Sequence, residues 1–175
     1  MHVQVGQALR RCRTARGLSQ SQLAALAESD RAGVSDLERG TSNPTLAVLL
    51  RFSGALSVPF SQIARLAENP RREPDAIPDR RQESAKVASF GYAIRSIRRS
   101  RHLTQKQLAA RVGADRAFVS AIERGVRNPT LGSVIRLAAA LDVSLSTIAA
   151  EAERVRDSSD GRKRRMPEAT PNATT

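Results

Sequence analysis

The chain repeats itself, and no other feature limits its fold as much. Set Leu18 on Leu103, an offset of 85, and no gap is needed. "LSQSQLAA" meets "LTQKQLAA", "DRAGVSDLERG" meets "DRAFVSAIERG", and "NPTLAVLLRFSGALSV" meets "NPTLGSVIRLAAALDV". About half of the aligned positions in 5–68 and 90–153 are identical, far more than shared composition produces. The 175 residues therefore divide into two copies of a module of about 65 residues, near the lower size limit of an independent fold. The expected boundaries are module one at 1–68, a linker at 69–87, module two at 88–156 and a disordered basic tail at 157–175. The linker "NPRREPDAIPDRRQESAK" is rich in proline and charge and has no sustained apolar period. The tail "DSSDGRKRRMPEATPNATT" cannot bury a core.

Each copy reads as five short helices, and no stretch alternates like a strand. Helix 1 is expected over roughly 4–16 and 89–101, with Ala8, Leu9 and Cys12 matching Ala93, Ile94 and Ile97 on one face. Gly17 and His102 follow as C-terminal stops. Helix 2 opens with a capping box, Ser19 with Gln22 and Thr104 with Gln107, flanked by the staples Leu18–Leu23 and Leu103–Leu108. Asp30 and Asp115 are N-caps for helix 3. Helix 4 follows Thr45 or Thr130, and helix 5 follows Val58 or Val143. The fold class is all-α.

Charge narrows the partner. The formal net charge is +12, with +3 on residues 1–84 and +9 on 85–175, which points to a polyanion, most often nucleic acid. Aromatic residues make up only 3% of the chain, too few for the stacking platforms that bind single strands. "MHVQVGQALRRCRTARG" has no apolar signal-peptide core, and no run approaches the roughly 20 apolar residues of a membrane span. The expected home is the cytoplasm. The single Cys12 excludes an intrachain disulfide and reads as a small buried hydrophobe, redox sensing being the alternative. His2 and His102 stand apart from any ligand cluster, so no metal is expected. No phosphate-binding glycine loop or nucleophile motif is present, so neither an enzyme, a cofactor nor a small-molecule substrate is expected.

Helices 2 and 3 are separated by three or four residues, with a small Ala24 or Ala109 at the fifth position of helix 2. That is helix-turn-helix spacing. Val34 with Leu37, and Val119 with Ile122, anchor helix 3 by one face and leave the other free for a major groove. With L-[ST]-Q-x-x-L-A followed by E-R-G-x-x-N-P-T-L in both copies, the sequence resembles the phage-repressor and Cro type of helix-turn-helix DNA-binding domain. The resemblance implies two tandem five-helix lambda-repressor-like domains that bind double-stranded DNA and regulate transcription, with repression as the expected outcome, at the bacterial nucleoid. It implies that Gln20 and Gln105 touch a phosphate, where free N–H groups and the positive helix end favour an anion. Arg31, Ala32 and Asp36, and their counterparts Arg116, Ala117 and Ala121, are implied to face bases, with Ser35, Ser120 and Arg127 in the same DNA-facing set. An arginine there either reads guanine bidentately or holds a phosphate. Phe118 meets a thymine methyl or packs on a neighbouring loop or subunit. Asn43 and Asn128 are phosphate contacts or turn residues. Arg13 with Glu38, and Arg98 with Glu123, are implied structural pairs.

The copies differ at three points. Glu28 stands where Gly113 makes a tight turn, a substitution costing roughly 1–2 kcal/mol in a left-handed conformation. Gly33 replaces Phe118, and Asp36 replaces Ala121 on the face meant for a polyanion. Module one is therefore expected to be the weaker DNA reader. The linker is expected to act as a flexible tether with an r.m.s. span near 25 Å, raising the second module's local concentration to about the millimolar range. Repressors of this type read half-sites about 34 Å apart. The alternative is a regulatory protein-interaction module, anti-activator or antitoxin-like, in which module one binds a protein partner or a second copy through Leu26 and Gly33.

Overall fold

Every capping signal in the sequence starts a helix. The structure is a computed structural model that describes residues 1–72 and 87–163, with side chains described as far as Val155. Module one contains α1 (His2–Ala15), α2 (Gln20–Leu26), α3 (Arg31–Arg39), α4 (Leu46–Ala55) and α5 (Phe60–Glu68). Module two contains α6 (Val87–Ser100), α7 (Gln105–Val112), α8 (Arg116–Glu123), α9 (Leu131–Ala140) and α10 (Leu145–Lys163). Both capping boxes are closed: Ser19 Oγ accepts from the Gln22 N–H and Thr104 Oγ1 from the Gln107 N–H, while each glutamine side chain accepts from the cap's own N–H. Asp30 and Asp115 cap α3 and α8 through the N–H of Gly33 and Phe118, each at 2.6 Å. Each such cap contributes about 1 kcal/mol.

Two glycines that the sequence reading passes over set how closely helix 1 lies on helix 3. A Cβ on Gly6 would stand 2.2 Å from the Leu37 carbonyl oxygen, and one on Gly91 2.2 Å from that of Ile122. Any side chain there would push α1 off α3, or α6 off α8.

The modules are joined by more than the linker. One apolar core runs through both. The α5 helix is buried almost all round, from Phe60 to Ala67 with only Arg65 partly outside; a helix so enclosed needs neighbours on two sides. It packs against α1 of its own module and α10 of the other. Phe60 meets Phe90 of α6, ring centroids 6.0 Å apart and tilted by 54°, and both rings are 1% exposed.

The polar contacts across this seam obey a pseudo-twofold. Glu153 of α10 accepts from the N–H and hydroxyl of Ser61 at 3.0 and 2.5 Å. Its counterpart Glu68 of α5 accepts from the N–H and hydroxyl of Ser146 at 2.9 and 2.6 Å. Leu46 N–H donates to the Pro129 carbonyl and Leu131 N–H to the Pro44 carbonyl, each at 2.8 Å, with Thr45 and Thr130 paired antiparallel between them.

This seam corrects the expected tether. The two modules share a core and a reciprocal hydrogen-bond set, so their relative placement is fixed by packing. Composition had pointed to a loose spacer because the linker is polar; the faces that hold the modules together lie on α5 and α10. Residues 73–86 of the expected linker lie outside the described residues, and its first part is held to α1, where Arg11 donates to the carbonyls of Pro70 and Arg72 at 2.9 and 2.6 Å.

A second correction concerns the tail. The α10 helix runs to Lys163, beyond residue 157 where disorder is expected. Its first turns are nucleated by the buried Leu145, Ile148, Ala149 and Ala152, and propagation then adds one hydrogen bond per residue at little cost. Residues 164–175 of the expected tail lie outside the described residues.

Candidate nucleic-acid interface

The interface is built on an ionic support. Arg13 of α1 grips Glu38 of α3 with Nε–Oε1 at 2.5 Å and Nη2–Oε2 at 3.1 Å, and donates from Nη1 to the Leu18 carbonyl. Arg98 repeats this on Glu123 at 2.6 and 3.0 Å, with Leu103 as the carbonyl partner. All four side chains are buried. The hydrogen bond to glutamate raises each guanidinium's pKa further above its ordinary value, against an opposing push from burial. Such a fork ties helix 1, the turn before helix 2 and the end of helix 3 into one frame.

Gln20 and Gln105 join the same network. Their Nε2 atoms donate to Glu38 Oε2 and Glu123 Oε2, each at 2.9 Å. The role implied for them was a phosphate contact, and the structure engages part of each amide elsewhere. What remains for an anion at the start of α2 or α7 is the second amide hydrogen and the unpaired first N–H groups of the helix.

The exposed face of helix 3 has the expected members. Arg31 and Ala32, and Arg116 and Ala117, are exposed in the first turn of α3 and α8. Neither Arg31 nor Arg116 has a side-chain partner among the described residues. Ser35, Asp36, Ser120 and Ala121 are half-exposed one turn on. Ala24 and Ala109 are 4% and 2% exposed, and Val34 and Val119 fully buried, so helix 3 is seated by one face.

Below that first turn the copies part. In α3, Arg39 donates to Ser35 Oγ at 2.6 Å and to Asp36 Oδ1 at 2.5 Å. The sequence reading missed this clamp, although an acid three residues before an arginine on one helix is its signal. The counterpart Arg124 has Ala121 in place of the acid and no side-chain partner among the described residues. In module two, the Arg127 guanidinium lies 4.7 Å over the Phe118 ring, and Phe118 is half-buried against the core. The Phe118 ring is thereby packed between the core and the loop that carries Arg127. Gly33 and Ser42 stand at these positions in module one, so the stacked pair has no counterpart there.

The turn before helix 3 adopts the left-handed conformation in both copies, with φ +48° at Glu28 and +66° at Gly113. Leu26, the partner-facing candidate, is 57% exposed. A Cβ on Gly33 would come within 2.9 Å of Asp30 Oδ1 and 3.2 Å of Ser29 Oγ, so the space beside Gly33 is occupied by its own cap.

Asn43 and Asn128 belong to the seam. Asn43 Oδ1 accepts from the Gly132 N–H, and Asn128 Oδ1 from the Ala47 N–H, each at 3.1 Å; His2 Nε2 also meets Asn43 Oδ1 at 3.2 Å. Each asparagine thus satisfies an N–H in the first turn of the other module's helix 4, a role that neither expected reading, phosphate contact or local turn, contains. Cys12 is fully buried, and burial pushes its thiol pKa up to about 11.

Known proteins match each module of the chain. The family described as helix-turn-helix matches twice, over residues 9–63 and 94–148. The immunity repressor protein of Bacillus phage phi105 is 38% identical over 63 residues, covering 36% of this chain and 44% of the phage protein. The control protein C.MunI of a Mycoplasma species is 32% identical over 66 residues, covering 37% of this chain and 89% of that one. Among solved structures, the restriction-modification controller protein C.AhdI of Aeromonas hydrophila is 37% identical, covers 35% of this chain and 94% of its own, and has a TM-score of 0.35. The chain spans 44% of the phage repressor's length, and 26% and 62% of two Sinorhizobium fredii transcriptional regulators that it also matches. With a seated helix 3 in each module and family matches over both, the chain belongs to the helix-turn-helix family of the Cro and phage-repressor type.

Proposed function

We propose that this protein is a sequence-specific double-stranded-DNA-binding regulator of transcription, acting as a repressor in the cytoplasm at nucleoid DNA. One observation carries the reading: two helix-3 faces, each opening on an exposed arginine, are held by a pseudo-twofold seam. DNA offers the matching symmetry, since two inverted half-sites one helical turn apart are related by a local twofold axis of the duplex. On this reading Arg31 and Arg116 meet guanine edges, while Gln20, Gln105 and the first N–H groups of α2 and α7 meet phosphates. Because the seam and not a tether sets the separation, the spacing between half-sites is rigidly specified. The reading needs no catalytic step.

The test is duplex binding by the full chain on a site selected from a random library. Arg116→Ala should lower specific affinity at least fivefold, the low end of a lost bidentate base contact, and leave nonspecific binding within about twofold. Inserting about half a helical turn between half-sites should remove most of the specific affinity. Equal binding of selected and scrambled duplexes by the wild type, or no loss with Arg116→Ala, overturns the proposal.

A further inference from the structure

The two DNA-facing segments differ in charge by five, although they share one backbone. Residues 18–42 carry two basic and four acidic side chains, a net of −2; residues 103–127 carry five basic and two acidic, a net of +3. Glu38 and Glu123 are already matched by Arg13 and Arg98, and Asp30 and Asp115 are caps in both copies. The uncancelled differences are Glu28, Asp36, Lys106, Arg111 and Arg127, of which Asp36 sits on the recognition helix itself. Its carboxylate and the Ser35 hydroxyl both accept from Arg39, so that guanidinium is engaged along α3. In α8 the equivalent Ser120 and Arg124 have no such clamp.

With both modules in one core, α3 and α8 keep a fixed relation to each other, and on the DNA-binding reading both meet the same duplex. We propose that the two modules read one operator unequally: α8 specifies its half-site, while α3 enters the other with Arg39 held back by Asp36 and Ser35. The operator is then asymmetric, one half sharply specified and the other, read by Arg31 without help from Arg39, more weakly held, and Asp36 is the residue that weakens it. This inference rests on the DNA-binding reading above.

Selection of random duplexes by the intact chain tests it directly. The expected result is a strong motif beside a protected but weakly specified half. The Asp36→Ala variant should free Arg39 for a phosphate, steepening the log–log dependence of affinity on salt by about 0.9. It should also tighten binding at low salt by about three- to tenfold, the return expected from one recovered phosphate contact. Asp36 is half-exposed, so thermal unfolding of the variant should match the wild type. Selected sites with two equally specified halves overturn the proposal while leaving the DNA-binding reading intact. So does an unchanged salt slope in Asp36→Ala. Weaker binding with a lost preference for cytosine also overturns it, because Asp36 would then be accepting from a cytosine amine. A selection that enriches no motif removes the DNA-binding reading itself.

Discussion

Truncating Glu153 should loosen the seam that fixes the two modules. The α5 helix has Pro59 at its N-cap, which offers no side-chain acceptor. Glu153 of the other module supplies one, taking both the N–H and the hydroxyl of Ser61, and Ser61 is only 3% exposed. In Glu153→Ala those two donors lose a charged acceptor in a place water reaches poorly. Hydrogen bonds to charged groups contribute about 1.5–3 kcal/mol, and an acid at a helix N-terminus contributes a further 0.3–1 kcal/mol or so. Glu153 is half-exposed and water enters the gap in part, so the expected loss is about 2–3 kcal/mol. That is a sizeable share of a typical 5–15 kcal/mol or so of total stability. It corresponds to a fall in Tm of roughly 5–10 °C for a chain of this size. Urea and thermal unfolding of the full chain measure it. Glu153→Gln, which keeps one acceptor and loses the charge, should fall between. The mirror change Glu68→Ala should cost less, because α10 retains the Ser144 hydroxyl on the Thr147 N–H. A loss below about 0.5 kcal/mol in Glu153→Ala, or a larger loss in Glu68→Ala, refutes the reasoning. Two separated unfolding transitions in the wild type would also refute it, since a shared core predicts one.

Two further outcomes follow from the backbone and the core. Glu28 holds φ +48°, so Glu28→Gly should stabilise the protein by about 0.5–1 kcal/mol, the relief of left-handed strain less glycine's added entropy in the unfolded chain; a lower unfolding midpoint contradicts this. The buried Cys12 thiol keeps its proton until about pH 11, whereas the unfolded thiol loses it near 9.0. A pKa raised by folding contributes stability that is whole below the unfolded value and is lost as pH climbs to the folded one. The wild type should therefore lose about 1.5 kcal/mol relative to Cys12→Ala between roughly pH 9 and 10.5. A difference between the two proteins that stays constant over that range excludes the effect.

What the sequence determined on its own is whatever short-range chemistry decides. Ser19 with Gln22, Thr104 with Gln107, and Asp30 and Asp115 act over three residues, so their caps are legible in the letters and appear where expected. The apolar spacing of Val34 and Leu37, repeated in Val119 and Ile122, likewise settles which face of helix 3 is seated. The arginine–glutamate pairs came from the family resemblance, and the structure places them as implied.

The tertiary structure decided which groups meet across the seam. Glu153 and Ser61 lie 92 residues apart and Glu68 and Ser146 78 apart, and no local pattern marks a glutamate as the cap of another module's helix. The same holds for Asn43 and Asn128: the sequence offers a phosphate contact or a turn, and their role as acceptors for the other module's N–H groups is visible only in the packed structure. A polar linker suggested mobility because composition reports the solvation of a segment and says nothing of the faces on either side. Those faces, on α5 and α10, turned two similar modules into one rigid pair.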